Sequence, residues 1–506
     1  MSDYVLGIDF GTESVRAAVY DTGGGCAGIG VSPIKTVYRQ SGWAEQSVPD
    51  WRRAVVEAVR IGLSSSGIDP GTVRGIGFDG TTCTLVFLDE RGRPLRDAIL
   101  WMDVRAAREA VAITDCGGSA LDYVAGGRIS AEWFPCKALW VRRNEPDIYR
   151  NTATLFELTD WLLYLLTGRK ALNINTVSVR WLYNVKKGGF PFAFFEAIGL
   201  KDVQKKIPDD VLPLGAVAGT LLPSVGEEMG LPAGLPVAVG GGDAFVGLIG
   251  VNATKKGQLA MITGSSHVQL SLLDTQTRGR GLFGTYPDAI LPGKHLVEGG
   301  QSSTGSILNW YVENFLGSMG NQIPRDMLFS RLSKEAEQLP PGSEGLVVLD
   351  HWQGNRTPWT DPTSRGVISG LSLSHTPAHI YRAIMEGVAY GTAVVLQTME
   401  KAGISITEII ACGGATNSPL WMQIHADATG RPMVLTEEAQ AVSLGAGILA
   451  AVAAGMYKSI EEAALRMVKV RETVLPARER TDAYRHIIER YVRIYEALCD
   501  DSPLLR

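Results

Sequence analysis

Short apolar runs followed by glycine recur along the chain, and they predict buried strands that end in tight turns. The clearest runs are residues 4–9, 73–78, 236–239, 258–263 and 409–412. Apolar residues at helical spacing lie between and after them, in residues 50–61, 133–140, 161–166, 378–402 and 482–498. Residues 201–235 carry four prolines and predict an irregular connection. Strands alternating with helices in this way favour an α/β fold.

Two of the strand patterns predict β-hairpins with similar turns. Residues 4–21 form the first, with the turn Gly11-Thr12-Glu13-Ser14, and residues 258–272 form the second, with Gly264-Ser265-Ser266. Backbone N–H groups and hydroxyls in such turns can bind phosphate, and Asp9, just before the first turn, could hold Mg²⁺. An ordinary edge hairpin with a polar turn explains the first stretch equally well. Because the pattern occurs in both halves, it indicates an internal duplication with a cleft between the halves.

The stretch Gly240-Gly241-Gly242-Asp243 delivers one carboxylate at the end of an apolar run. Glycines allow a backbone or a ligand to approach closely, so Asp243 is a candidate for chemistry. On its own, however, the stretch is better explained as a strand-to-helix turn in which Asp243 is the helix N-cap. We place the boundary between two domains here, at 1–244 and 245–506.

Several other stretches offer groups that a polyhydroxylated ligand or a nucleotide needs. Trp101, Asp103 and Arg105 combine an aromatic face with charged groups, although Asp103 and Arg105 could simply pair with other side chains. Arg180 lies among apolar neighbours, where an arginine is usually paired with a carboxylate or a ligand. Glu298 precedes small residues and a helix that begins near residue 306, and the helix N-terminus could bind phosphate. Gly413-Gly414-Ala415-Thr416-Asn417 after a buried strand could seat an adenine ring or be a plain loop.

Composition narrows the classes of function. The chain has 506 residues, 45% of them hydrophobic, with a net charge of −5, so neither nucleic acid nor an anionic membrane is an expected partner. Residues 444–456 are apolar but too short to span a bilayer, and they predict a packed helix. The six cysteines are scattered, as in reduced cytoplasmic proteins, and no signal peptide is visible. There is no Walker loop of the form GxxxxGK[ST] and no HExxH motif, which argues against a P-loop kinase and a zinc enzyme.

Taken together, these stretches resemble the FGGY carbohydrate kinases, which belong to the actin, Hsp70 and hexokinase superfamily. The resemblance covers residues 7–454. It is carried by Gly7-Ile8-Asp9-Phe10-Gly11-Thr12, by the segment ending at Asp243, by residues 366–386, which are similar to the family's second signature, and by Gly413-Gly414-Ala415. Residues 298–302 and 350–356 look most like the ribulokinase branch. The chain departs from the family's first signature at residues 133–140. Compared with that signature, the segment before Lys137 is one residue shorter.

The resemblance implies two actin-like (ribonuclease H-like) ATPase domains with a cleft between them, and an ATP- and Mg²⁺-dependent sugar kinase. It implies that Asp243 is the general base, and that Asp9 and Asp243 lie at the metal. The residues implied to bind the nucleotide are Thr12, Glu13, Ser14, Gly264, Ser265, Gly305, Gly413, Gly414, Ala415 and Asn417. Those implied to contact the sugar are Asp79, Trp101, Asp103, Arg180, Asp243 and Glu298.

The expected substrate is a small ketose, most simply a ribulose-like ketopentose. Xylulose, a tetritol or a signalling sugar are alternatives within the same class of enzyme. An actin- or Hsp70-like nucleotide switch is an alternative from another class, disfavoured by Asp243 and by the sugar-type residues. The expected location is the cytoplasm. The sequence leaves open whether the protein is a homodimer or a monomer.

Overall fold

A computed structural model describes residues 3–317 and 323–499 of the chain. Two mixed seven-stranded sheets and a small four-stranded sheet organise these residues, with two further strand pairs. The strands of the first half are β1 (Tyr4–Phe10), β2 (Ser14–Asp21), β3 (Cys26–Pro33), β4 (Glu45–Gln46), β5 (Val73–Gly80), β6 (Leu85–Leu88), β7 (Ala98–Ile99), β8 (Thr154–Glu157), β9 (Leu172–Asn173), β10 (Val211–Leu212), β11 (Val217–Thr220), β12 (Pro236–Ala238) and β13 (Gly241–Gly242). Those of the second half are β14 (Gln258–Thr263), β15 (His267–Leu273), β16 (Phe283–Pro287), β17 (His295–Gln301), β18 (Val347–Leu349), β19 (Val367–Ser369), β20 (Glu408–Gly413), β21 (Met433–Thr436) and β22 (Val470–Val474).

Helices cover these sheets and connect their strands. In chain order they are α1 (Val48–Ser66), α2 (Ala107–Cys116), α3 (Phe134–Asn144), α4 (Pro146–Asn151), α5 (Leu158–Thr167), α6 (Ile174–Arg180), α7 (Phe192–Ala197), α8 (Pro223–Met229), α9 (Asp243–Gly250), α10 (Gly305–Phe315), α11 (Arg325–Glu337), α12 (Pro377–Lys401), α13 (Pro419–Thr429), α14 (Ala441–Ala453), α15 (Ile460–Met467) and α16 (Arg478–Cys499). None of the helices in the described ranges is both long enough and apolar enough to cross a membrane.

The two large sheets repeat one topology, as the duplication predicted. The first has the strand order β11-β12-β5-β1-β2-β3, and the second runs β22-β21-β20-β14-β15-β17-β16. In each sheet the central pair is parallel, β1 with β5 and β14 with β20, while the adjoining hairpin is antiparallel. The two predicted hairpin turns therefore occupy equivalent places at the ends of the two sheets.

Helix α14 belongs to the second half of the chain but packs on the sheet of the first half. Its residues Leu444, Ala446 and Leu449 share one buried core with strands β1 and β5. The close fit depends on glycine, because a Cβ atom added at Gly77 would lie 2.0 Å from the carbonyl oxygen of Ala446. The apolar segment predicted to be a packed helix is therefore packed where the two halves meet.

The structure corrects two local expectations. Residues 201–235 were expected to be irregular, but they supply strand β11 at the edge of the first sheet and helix α8. The predicted N-cap at Asp243 is also wrong, because Gly242 is the N-cap and Asp243 is the first residue of α9.

Candidate active site

Three aspartates collect at the carboxyl ends of neighbouring strands in the first sheet. Asp9 on β1 lies directly beside Asp79 on β5 in the parallel pairing. Asp79 in turn lies opposite Gly241 on β13, two residues before Asp243. Carboxyl ends of strands are where ligands bind in open α/β sheets, so the sheet itself brings three of the predicted site residues together.

Asp79 is the most unusual of the three. Its side chain is completely buried, and neither carboxylate oxygen has a hydrogen-bond partner among the described residues. Burial, followed by the nearby charges of Asp9 and Asp243, raises its pKa well above the usual range. A buried carboxyl group without partners is costly, so this position is suited to a ligand hydroxyl or a cation.

Asp243 stands at the start of α9, where a helix N-terminus favours negative charge. Its Oδ1 accepts a hydrogen bond of 2.7 Å from the backbone N–H of Ala244. Burial, together with the charge of Asp9, raises the pKa of Asp243 to about 6. The hydrogen bond from Ala244 and the charge of Arg180 act in the opposite direction. A carboxylate with a pKa near neutrality is well placed to accept and release a proton.

The glycines before Asp243 are held against strand β5. A Cβ atom at Gly240 would lie 2.0 Å from the carbonyl oxygen of Phe78. The N–H of Gly242 donates to Oδ1 of Asn175 on α6, at 2.9 Å. Close packing and this hydrogen bond fix the direction in which α9, and with it Asp243, leaves the sheet.

The first hairpin turn lies beside the same cluster. Glu13 is exposed, while Thr12 and Ser14 are partly buried. Arg16 Nη1 donates to Asp9 Oδ2 at 2.8 Å. Trp101, whose side chain is 42% exposed, donates from Nε1 to the hydroxyl of Thr12 at 2.9 Å. A predicted sugar contact and a predicted phosphate contact therefore touch each other.

Asp103 is placed differently from the other predicted sugar contacts. Its Oδ1 and Oδ2 accept from Nε and Nη2 of Arg105 at 2.9 and 2.7 Å. Oδ2 also accepts from the backbone N–H of Ala44 at 2.6 Å, and the residue is fully buried. These partners favour the alternative weighed from the sequence, that Asp103 and Arg105 pair with protein side chains. The structure adds that the pair braces the loop that carries Trp101.

Arg180 and Glu298, predicted separately as sugar contacts, form one buried ion pair. Arg180 Nη2 lies 2.9 Å from Glu298 Oε1, and Nη1 lies 3.1 Å from Oε2. Arg356 also donates to Glu298 Oε1. Arg180 comes from α6 in the first half and Glu298 from β17 in the second, so the pair joins the two halves.

The predicted nucleotide residues gather at the end of the second sheet. The turn at Gly264 and Ser265 is tied to the start of α10, because the N–H of Gly305 donates to the Gly264 carbonyl at 3.2 Å. Gly413 lies beside Thr263 in the parallel β14–β20 pairing. Gly413 has φ of +94°, and a Cβ atom there would lie 2.0 Å from the Thr263 carbonyl oxygen.

After Gly413, several residues of the chain are exposed to solvent. Gly414 and Asn417 are exposed and Ala415 is buried, and a Cβ atom at Gly414 would meet no atom within 4 Å. The space fits a ligand that approaches the backbone, as a flat base would. Residues 264, 305 and 413 therefore lie near one another at this end of the second sheet, and their role in binding a nucleotide stays a prediction.

Lys137 was not singled out from the sequence as a site residue. It is fully buried on α3, and its Nζ donates to the carbonyl oxygens of Cys83 and Leu100 at 2.5 and 2.6 Å. These carbonyls belong to the loop after Asp79 and to the loop that carries Trp101. Lys137 therefore holds together two sides of the candidate sugar pocket, and the only signal for it was the lysine of the first family signature.

A divalent cation fits this site only together with phosphate. Within residues 3–317 and 323–499, no three histidine, cysteine or acidic side chains are grouped to hold a metal ion alone. Mg²⁺ usually binds through one or two carboxylates and the phosphates of a substrate. Asp9 and Asp243, which flank Asp79 at this end of the first sheet, offer the carboxylates that this arrangement needs.

Comparisons with known proteins place both halves of the chain in one family. Residues 4–250 match the model of the N-terminal domain of the FGGY family of carbohydrate kinases, and residues 259–454 match the C-terminal domain. The predicted boundary at 244 falls within α9, six residues before the first match ends at 250.

Relatives and solved structures cover nearly the whole chain. A ribulokinase of Halalkalibacterium halodurans is 33% identical over 97% of this chain and 94% of its own. An FGGY carbohydrate kinase domain-containing protein of Homo sapiens is 34% identical over 97% and 96%. The structure of a xylulose kinase from Rhodospirillum rubrum superposes with a TM-score of 0.86 at 24% identity, over 98% of this chain and 99% of that one. The chain belongs to the FGGY family of carbohydrate kinases and has the two-domain α/β fold of that family.

Proposed function

We propose that the protein transfers the γ-phosphoryl group of ATP to a hydroxyl of a small ketose, and that Asp243 is the general base. The observation that carries the proposal is the Asp243 carboxylate, whose pKa of about 6 is set by burial at the start of α9. At neutral pH this group is mostly ionised, so it can take the proton of the sugar hydroxyl as that oxygen attacks phosphorus.

The remaining residues would position the reactants. Asp79 would form hydrogen bonds with the sugar hydroxyls, because its oxygens have no partner among the described residues. Trp101 would provide an apolar face, and Arg180 and Glu298 would bind hydroxyls from opposite halves. Asp103 would act on the sugar indirectly, through the loop that it braces.

On the nucleotide side, Thr12, Glu13 and Ser14 would face the phosphates from the first hairpin, and Gly264 and Ser265 from the second. Gly305 would contribute the N-terminus of α10, while Gly413, Gly414, Ala415 and Asn417 would line the base. Mg²⁺, held by Asp9 and Asp243 with the phosphates, would offset the negative charge of the transferred group.

For the substrate we propose a pentulose, most simply ribulose. Support comes from the relative named ribulokinase, which is 33% identical over 97% of the chain. Glu298 and its partner Arg356 lie in the two segments, 298–302 and 350–356, that resemble that branch. A cytoplasmic location fits the six free cysteines.

The test is ADP release from Mg-ATP across a panel of pentuloses, hexuloses, aldoses and polyols. We expect one or a few ketoses to stimulate release at least tenfold over the rate without sugar, and Asp243→Asn to abolish the stimulation while nucleotide binding is retained. Omitting Mg²⁺ should also remove it. Absence of stimulation by any sugar, with turnover instead stimulated by a protein partner, would replace the kinase proposal with a nucleotide switch. Light scattering after gel filtration would decide between the monomer and the homodimer.

A further inference from the structure

Glu298 has two arginine partners, and they come from different halves of the chain. Glu298 and Arg180 are almost fully buried, with side chains 1% and 6% exposed. Arg356, which is 28% exposed, pairs with the same oxygen that receives Arg180 Nη2. The two arginines hold the pKa of Glu298 below its usual range against the effect of burial. One carboxylate is thus shared between a partner across the interface and a partner in its own half.

The segment that carries Arg356 is fixed to the strand that carries Glu298. The N–H of Thr357 donates to the Gly300 carbonyl at 3.2 Å, and the N–H of Gly300 donates to Oγ1 of Thr357 at 3.3 Å. The Arg356 guanidinium also lies 5.0 Å from the ring centre of Phe283 on the neighbouring strand β16. Arg356 and Glu298 are therefore parts of one rigid piece of the second half.

Arg180 is attached to the other half and has a second acidic neighbour. Its charge lowers the pKa of Asp243, so the guanidinium lies within electrostatic reach of the proposed base. It also lies 5.3 Å from the ring centre of Trp133 and 5.7 Å from that of Phe245, in largely apolar surroundings. If Arg180 left Glu298 and no other cation were present, a buried and unpaired carboxylate would remain, which is strongly unfavourable.

We infer that Arg356 is a positioning residue that keeps Glu298 paired and ionised while Arg180 exchanges between Glu298 and the sugar. The inference rests on the proposed function, because it takes Arg180 and Glu298 as sugar contacts. Arg356 lowers the cost of separating Arg180 from Glu298, whether the separation is caused by a sugar hydroxyl or by the two halves moving apart. It acts on the substrate only through Glu298.

The experiment compares Arg356→Gln and Arg356→Lys with the wild type, using the sugar that gives the highest turnover in the panel. In Arg356→Gln the sugar must compete for an arginine that is the sole partner of a buried carboxylate. We expect the KM for sugar to rise about tenfold or more, with the KM for Mg-ATP changed less than twofold. Arg356→Lys keeps the charge and should recover most of the loss. Arg365→Gln is the matched control, because Arg365 lies on the same loop and its guanidinium bonds, among the described residues, only to the carbonyls of residues 362–364.

A double-mutant cycle with Glu298→Gln distinguishes this positioning role from a role of Arg356 in packing alone. The quantity measured is the Kd for sugar, by calorimetry. Without the carboxylate, adding Arg356→Gln should change the Kd less than twofold. An equal loss in both backgrounds, with no rescue by lysine, would overturn the inference and leave Arg356 a packing residue. An unchanged KM for sugar in Arg356→Gln would also overturn the inference. The kinase proposal would not be affected by that result, because it is tested separately by Asp243→Asn. A wild type that phosphorylates no sugar would overturn both.

Discussion

The pH dependence of turnover should report the ionisation of Asp243. Its pKa of about 6 lies roughly two units above the ordinary value of 3.8, which corresponds to about 3 kcal/mol of differential stabilisation of the protonated form. Only the ionised form can act as a base. About nine-tenths of the groups are ionised at pH 7 and about one-tenth at pH 5, so kcat/KM should fall roughly tenfold between these values. An aspartate with an ordinary pKa would lose almost nothing over this range.

The fall in kcat/KM at low pH is the acid limb of the pH profile. Two neighbouring charges should shift its midpoint in opposite directions. Arg180 favours the ionised carboxylate, so Arg180→Gln should raise the midpoint by about half a unit to one unit. Asp9 disfavours ionisation, so Asp9→Asn should lower the midpoint, even though its absolute rate falls. Arg108→Gln, on the exposed face of α2, is a control that should leave the midpoint unchanged.

The assay is kcat/KM for the best sugar from pH 4.5 to 8.5, with circular dichroism at each pH to confirm that the protein stays folded. A wild-type limb with a midpoint below pH 5 would refute the assignment of the limb to Asp243 with its raised pKa. Midpoints that move in the same direction in both variants would show that the limb does not report local electrostatics at this carboxylate.

Three further substitutions test other parts of the structure. Lys137→Met removes the donor to two buried carbonyls, so we expect a loss of about 1–3 kcal/mol in the free energy of unfolding by urea titration, and a severalfold higher KM for sugar but not for ATP. Gly413→Ala places a Cβ atom 2.0 Å from the Thr263 carbonyl at a positive φ, so calorimetry should show nucleotide binding weakened about tenfold or more. Gly77→Ala forces helix α14 away from the first sheet, because the Ala446 carbonyl is 2.0 Å from the new atom, and should cost about 3 kcal/mol of stability or more. An unchanged unfolding midpoint in Gly77→Ala would contradict the packing described here.

The elements that the sequence predicted well are those whose signal is local. Strands β1 and β14 are apolar runs that end in a glycine and hydroxyl turn, so chain pattern and structure agree closely at both hairpins. Strand β17 carries Glu298 and two glycines, and it is a strand because β15 and β16 pair with it on both sides. Helix α8 begins with Pro223, and the same proline that made the stretch look irregular is well tolerated at a helix start.

The same distinction between local and long-range signals applies to the pairing of side chains. Asp103 and Arg105 are two residues apart, and their pairing could be weighed from the sequence alone. Arg180 and Glu298 are separated by 118 positions and lie on different halves, so no spacing could show that two predicted sugar contacts would be each other's partner. The orphaned oxygens of Asp79 are likewise visible only when the strands on both sides are in place.

The contrast between Asp79 and Asp243 explains why only one of them suits the role of base. Both lie at the carboxyl end of the same sheet, but Asp79 is completely buried beside two other carboxylates, which favours its protonated form. Asp243 is half-buried, and a nearby N–H donor and an arginine oppose the effect of burial, so its pKa is raised only to about 6. A carboxyl group in its protonated form can donate a hydrogen bond to a sugar oxygen but cannot take a proton from it, whereas a carboxylate with a pKa of about 6 can take the proton and release it again. The environments therefore divide the roles between two residues of the same type.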